Sequence, residues 1–411
     1  MPSRTVRQKT GKSANKRGKL HGFAATAGSQ PKSKHRSAPR IPVPADPLPS
    51  LARGTAPEAG QEQLPSVPGE WKEILQRYIG LYNQAENEQH AEGLHDFVRD
   101  SEHCLRLGQR LQRLRDRDLL RGALSLYSET TAELARVNES ASEVSVLLKL
   151  HVRRQMDQSG RGYTEERTEY ERLWLERNNG FWTVVRVEPV IAERRPRYGS
   201  AAEAWIADIQ EDHRSHNRPP AGAATIPYLN YDLFPQFKHR AAAIPYRRDQ
   251  VTAYADRYWN EGNEAFENFE VNCTNYVSQC VFAGNAPMNY TGKRENGWWY
   301  KGKAGGREWW SYSWAVSNAL TQYLSIPRES GLRGEIVYSP EELQIGDIIT
   351  YDWNGDNRFQ HSAVVTAFDA QGMPLVNANT VASRHRYWDY RDSYAWTEQT
   401  RYRFFHLADL M

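Results

Sequence analysis

The stretch Asn272-Cys273-Thr274-Asn275-Tyr276-Val277-Ser278-Gln279 decides how this chain is read, because it sets a cysteine where a loop turns into a helix. Residues 262–270, just before it, are polar and turn-rich, whereas Tyr276, Val277, Cys280, Val281 and Phe282 recur at helical spacing after it. A thiol in the first turn of a helix meets unpaired backbone N–H groups and the positive end of the helix dipole. Both favour the thiolate, the form in which cysteine is a nucleophile. Downstream, Phe359-Gln360-His361-Ser362-Ala363-Val364-Val365 opens an apolar strand with a histidine, and Pro374-Leu375-Val376-Asn377-Ala378-Asn379 predicts the strand after it. These residue types suit a reaction in which Cys273 attacks an amide or ester carbonyl and His361 takes and returns the proton. A third polar group would fix the imidazole tautomer. Asn377 and Asn379 share a strand face by period two, so either fits that role. The Cys273 N–H is an expected oxyanion donor, joined by the side chain of Asn272 or Asn275.

Working outward, residues 249–259 predict a helix ahead of the Cys273 helix, and residues 313–325 another behind it. Extended segments follow at 347–352, 361–368, 375–379 and 401–406, with Asn354-Gly355-Asp356-Asn357 as a hairpin turn. Helices first and an antiparallel sheet second give an α+β layout. Asp352, Asn354 and Asp356 alternate like the start of a calcium loop, but the glycine stands at the fourth position and Ala363 where a glutamate belongs, so a hairpin is the better reading. The aromatic run containing Trp298, Trp299 and Trp310 reads either as a groove for sugar or peptide or as packing of an insertion on the core. Cys104 and Cys280 read as buried hydrophobes, and His385 and His406 as packing or surface residues.

Six blocks carry a resemblance: Tyr246-Arg247-Arg248, the Asn272–Gln279 stretch, Trp298-Trp299-Tyr300, Gly346-Asp347, Tyr351-Asp352-Trp353-Asn354-Gly355-Asp356 and His361-Ser362-Ala363-Val364-Val365-Thr366. In this order they resemble the amidase domain family of Gram-positive bacteria, a group related to the NlpC/P60 and CHAP cysteine hydrolases of papain-like type. The resemblance covers about residues 244–408. It implies a papain-like domain with a Cys-His-Asn site at Cys273, His361 and Asn379, cleaving an amide bond in peptides, cell-wall (peptidoglycan) peptides among them. The sequence departs from the family's pattern twice. Asn272 stands where the family has Asp, and Asn379-Thr380 where it has His-Thr, which favours Asn379 over Asn377 as the third residue. An acyltransferase or transglutaminase-like enzyme using the same thioester, and a non-catalytic polymer-binding protein, remain open as alternatives. No cofactor or metal is implied.

Ahead of this domain, 411 residues leave room for more than one module. Residues 70–87 predict a helix from Trp71, Ile74, Leu75, Tyr78, Ile79 and Tyr82, and residues 93–127 a second, whose basic amphipathic face reads as core packing rather than membrane contact. Val144, Val146, Leu148, Leu150 and Val152 alternate as a strand. Residues 164–176 and 181–190 predict two more, joined by Asn178-Asn179-Gly180. The expected division is a disordered basic and Pro-rich tail at 1–69, an α+β module of cystatin or NTF2-like type at 70–192, a connector at 193–243 with a short helix at 200–212, and the amidase-like domain at 244–411.

Residues 1–45 hold 11 of the 53 Lys and Arg and none of the 50 Asp and Glu, so the rest of the chain is net acidic. This arm, through Lys9, Lys12, Lys16, Arg17 and Lys19, reads as a polyanion contact or a solubilising tail. It lacks the apolar core of a secretory signal, so a cytoplasmic location is expected, with a spore compartment or non-classical export as the routes to a wall substrate. No run approaches the roughly 18 apolar residues of a membrane span, so no integral membrane segment is expected. Cys273 and Cys280 stand two helical turns apart, roughly 10 Å of rise, too far for a disulfide.

Overall fold

The computed structural model describes residues 70–194, 243–304 and 307–411. The tail at 1–69 and nearly all of the 193–243 connector, with its expected helix at 200–212, lie outside the described residues.

Helix α1 (Trp71–Glu88) buries Trp71, Leu75, Tyr78, Tyr82 and Ala85 along one face and ends at Gln89 with φ 52°. A short α2 (Glu92–His95) leads to α3 (Ser101–Leu120), whose first turn is capped by Asp100 accepting the His103 N–H at 3.0 Å. The single helix expected over 93–127 is therefore shorter. Gly122, at φ 59°, turns the chain out of it and into strand β1 (Ala123–Glu139). Strand β1 had no sequence expectation of its own. It pairs with β2 (Glu143–Gln158), which pairs with β3 (Arg161–Asn178), which turns through Asn179 and Gly180, both at positive φ, into β4 (Phe181–Pro189). Val144, Val146, Leu148, Leu150 and Val152 face the helices, as their alternation predicts.

The C-terminal part opens with α4 (Arg248–Tyr258) and α5 (Cys273–Ala283). A two-stranded ribbon follows, β5 (Tyr300–Ala304) and β6 (Arg307–Trp310). The helix expected at 313–325 is two short ones, α6 (Tyr312–Ala315) and α7 (Ser317–Leu324), parted at Val316, whose backbone is extended. Then come β7 (Gly334–Val337), β8 (Ile348–Asp352), β9 (His361–Phe368), β10 (Pro374–Ala378), β11 (Ser383–Tyr387) and β12 (Arg401–Leu407). The result is a mixed α/β architecture around one ten-stranded antiparallel sheet, ordered β1-β2-β3-β11-β10-β9-β8-β12-β7 with β4 beside β3. Strand β3 joins its two parts, because Arg167 and Glu166 pair with Ser383 and Arg384 of β11.

Strands β8 to β10 are buried on both faces. On one, Ile348 and Val364 pack with Tyr276, Val277 and Cys280 of α5. On the other, Ile349, Tyr351, Ala363, Val365 and Val376 pack with Trp353 and Tyr390. Two of the quoted sequence blocks meet as a support for this sheet. Arg248 donates to Asp347 Oδ1 at 2.8 Å and to the Leu407 carbonyl at 2.7 Å, while Tyr246 donates to the Gly346 carbonyl. Gly346 has φ 85°, and a Cβ there would lie 3.1 Å from the Tyr246 hydroxyl, so this tight turn requires glycine. Asp352 closes the hairpin as a turn, with Oδ1 accepting from the N–H groups of Asn354, Gly355 and Asp356 and Oδ2 from that of Asn357. A carboxylate so engaged is an anchor for backbone rather than a calcium ligand.

Candidate active site

Cys273 is the first residue of α5, where the sequence placed it. The helix is buried all round, and Asn272, its N-cap residue, makes no side-chain cap bond. Thr380, in the turn that follows β10, supplies the cap instead: its Oγ1 accepts the N–H groups of both Asn272 and Cys273 at 2.9 Å. The Cys273 N–H expected as an oxyanion donor is therefore already engaged. The sulfur lies 4.0 Å from the Gln360 carbonyl oxygen and 3.8 Å from Thr274 Oγ1. Burial raises the thiol pKa; the Ser362 N–H foremost, and the Thr380 hydroxyl, pull it back.

His361 begins β9 on the other side of the sheet. Thr274 Oγ1 meets Ser362 Oγ at 3.1 Å, so Ser362 faces α5, and strand alternation turns His361 and Ala363 away from it. The imidazole lies among Tyr351, Trp353 and Tyr390, with ring centroids 5.2–5.7 Å away. It is fully buried and neither ring nitrogen has a hydrogen-bond partner. Burial, and secondarily the Arg386 charge, push its pKa down to about 3, so the ring is neutral. Only its backbone adjoins Cys273; the structure does not bring ring and thiol together.

Asn379 does come to the thiol's end of α5, but its Oδ1 accepts from Asn272 Nδ2 at 3.0 Å and its Nδ2 donates to the Trp259 carbonyl at 2.9 Å. Asn272 and Asn379 thus bond to each other. An amide pair here needs no charge balance, whereas a lone carboxylate at 272 would put an anion beside the sulfur. Asn377 points to the same face but is held by Thr366, Asp256 and the His385 N–H.

The expected substrate contacts are interior groups. Asn272 Oδ1 accepts from Phe269 N–H and Asn275 Nδ2, and Asn275 Oδ1 accepts from Trp314 Nε1. Trp298 donates to Ser278 and Trp299 to the Asn296 carbonyl, and Trp310 carries the Arg294 guanidinium on its ring at 3.7 Å. All three indoles belong to the core that covers α5. Sequence reasoning gave no role to Thr380, Thr274 or Ser362. The only signal for Thr380 was its place beside Asn379, and a cap reaching across 107 residues has no local pattern.

Residues 245–405 match a protein-family model described as "Putative amidase domain", a description that points to hydrolysis of amide C–N bonds in general. "Uncharacterized protein YhbB" of Bacillus subtilis (strain 168) is 48% identical over 167 residues, which are 41% of this chain and 52% of that protein. The chain thus spans about half the length of that relative. Among solved structures, the crystal structure of the intermembrane space region of chloroplast protein ARC6 aligns with 31% of this chain and 98% of its own at 15% identity, with a TM-score of 0.22.

Proposed function

We propose that the C-terminal domain hydrolyses an amide bond with Cys273 as nucleophile. One observation carries the reading: the sulfur stands at the first residue of a helix, with the Ser362 N–H and the Thr380 hydroxyl beside it, donors that favour an anion. His361 is the base in this proposal. It follows Gln360, whose carbonyl oxygen already lies against the sulfur, and its ring has no partner where it lies. To reach the thiol, the first residue of β9 must release its pairing with Tyr351 and turn to the α5 face. Leaving an unpaired polar group in an apolar box costs about 1–3 kcal/mol. That cost offsets part of breaking the strand pair. Asn379 would then exchange Asn272 for the imidazole.

The reaction is a thiolate attack on the carbonyl carbon. The C–N bond breaks, the leaving amine takes its proton from the imidazolium, and water hydrolyses the resulting thioester to acid and free thiol. A cysteine on a helix before a histidine on a strand supports a papain-like, NlpC/P60-like arrangement. Helices ahead of a four-strand meander support a cystatin or NTF2-like module at 70–192. Peptide amides, wall peptides included, are the proposed substrate class, and the basic tail is proposed to hold polyanions near the enzyme. Incubating wild type, Cys273→Ala and His361→Ala with peptidoglycan fragments and a peptide library, read by mass, tests this. Cleavage by wild type alone is expected; unchanged cleavage by Cys273→Ala would overturn it. Added amines that divert product from acid to amide would mark acyl transfer instead.

A further inference from the structure

Thr380 has more to do than close a turn. A hydroxyl oxygen offers two lone pairs and one proton. Both lone pairs of Thr380 Oγ1 are taken, by the N–H groups of Asn272 and Cys273. Its proton is the capacity left over, on an oxygen 2.9 Å from the nitrogen of the very residue that carries the sulfur. The neighbouring hydroxyl, Thr274, has no proton to spare. Ser317 Oγ donates to the His361 carbonyl at 2.8 Å and Ser362 Oγ donates to Ser317 Oγ at 2.9 Å. Ser362 can therefore only accept at Thr274 Oγ1, 3.1 Å away, and the Thr274 proton is spent there. Of the two hydroxyls at the sulfur, only that of Thr380 can donate to it.

We infer that Thr380 is a positioning residue for Cys273, holding the first turn of α5 by two backbone bonds and directing its own proton to the sulfur. The inference rests on Cys273 being the nucleophile. A hydrogen bond to a charged partner is roughly twice as strong as one between neutral groups, so a thiolate gains more from this donor than a thiol does.

The test is the pH profile of Cys273 alkylation by iodoacetamide in the full chain, read by peptide mass for wild type, Thr380→Val and Thr380→Ser. Cys280, fully buried seven residues along the same helix, is the internal control. Thr380→Val should move the labelling midpoint of Cys273 up by about one pH unit, a roughly tenfold loss of thiolate at a fixed lower pH. Thr380→Ser should restore the wild-type profile, and Cys280 should stay slow in all three. Superposable profiles for valine and wild type would overturn the inference. So would faster labelling of Cys273 and Cys280 together, which would make Thr380 a helix cap alone. The parent reading fails separately, if Cys273→Ala retains cleavage while the Thr380→Val shift is still seen.

Discussion

Replacing His361 with leucine tests where the imidazole lies in solution. In the structure the ring occupies an apolar box with two unpartnered nitrogens. Removing them recovers about 1–3 kcal/mol of desolvation. Loss of the ring contacts with Trp353, Tyr351 and Tyr390 takes back about 0.5–1.5 kcal/mol. Near neutral pH the variant should therefore be as stable as wild type or slightly more so. The pH dependence is sharper. The folded-state pKa of about 3 lies below the ordinary histidine value of 6.5, so the unfolded chain binds the extra proton between them. The stability that neutral His361 contributes is full above that upper value and is lost as pH falls toward the lower. From about pH 7 to about pH 5 the wild type should lose about 2 kcal/mol relative to the leucine variant. Urea unfolding of both chains across this range gives the number, and taking the difference cancels every other titrating group. A flat difference would show an imidazole that is not held in the apolar box. A variant several kcal/mol less stable at neutral pH would show that the ring is bonded in solution, and the placement of His361 on this face would be refuted.

Other consequences follow from the buried charges. Arg110, fully buried, is paired with Glu86 and Glu169, so Arg110→Met should destabilise by about 3–5 kcal/mol in denaturant titrations, with Glu86→Gln added on top recovering part. Glu193 is pushed up to about 7 by burial, against an ordinary 4.5, so its favourable share is present at low pH and lost as pH rises through that window. Glu193→Gln should therefore gain up to about 3 kcal/mol on wild type between about pH 5 and pH 8; equal slopes would refute the protonated state. Asp352→Ala strands four backbone N–H groups and should cost about 1–3 kcal/mol, while added calcium should leave the melting temperature of the wild type unchanged.

Much of the strand and helix pattern was legible in the sequence because it is local. Trp71, Leu75, Tyr78 and Tyr82 mark α1, and Asn179-Gly180 marks the β3–β4 turn. Strand β1 was not legible, since Leu124, Leu126, Tyr127 and Leu134 lie exposed and no burial period distinguishes it from the helix before it. The site divides the same way. Helical period and a polar lead-in fixed Cys273 as the start of α5. Alternation put His361, Ala363 and Val365 on a common face, but Ser362, Val364 and Thr366 are buried too, so nothing in the pattern said which face meets α5. That was settled by one tertiary contact, Thr274 to Ser362. The Asn272–Asn379 pair is of the same kind, two side-chain amides far apart in sequence whose pairing shows only in the folded chain.

The layer of α1–α3 and β1–β4 reaches the candidate site through charge. Its strand contact with β11 is short, two register pairs, whereas α3 sends Arg117 to Asp392 at 2.9 Å and its C-cap residue Arg121 reaches Asp369 at 3.3 Å. All these groups are buried. Taking an ion out of water costs several kcal/mol, and only its partners offset that, so the junction holds as a set or fails as a set. The loop that carries Asp392 also carries Tyr390, whose ring is 5.2 Å from His361 and takes the Arg386 guanidinium on its face at 4.1 Å. Loosening that loop should open the box around the imidazole. Arg117→Gln leaves Asp392 with Arg386 alone and Asp389 with less cationic support, and should let water reach His361 without touching any residue beside the sulfur. The imidazole pKa, followed by NMR on the folded chain, should then climb from about 3 toward the ordinary value. A folded Arg117→Gln protein whose His361 still refuses a proton down to about pH 4 would mean that the box is built by the C-terminal domain alone.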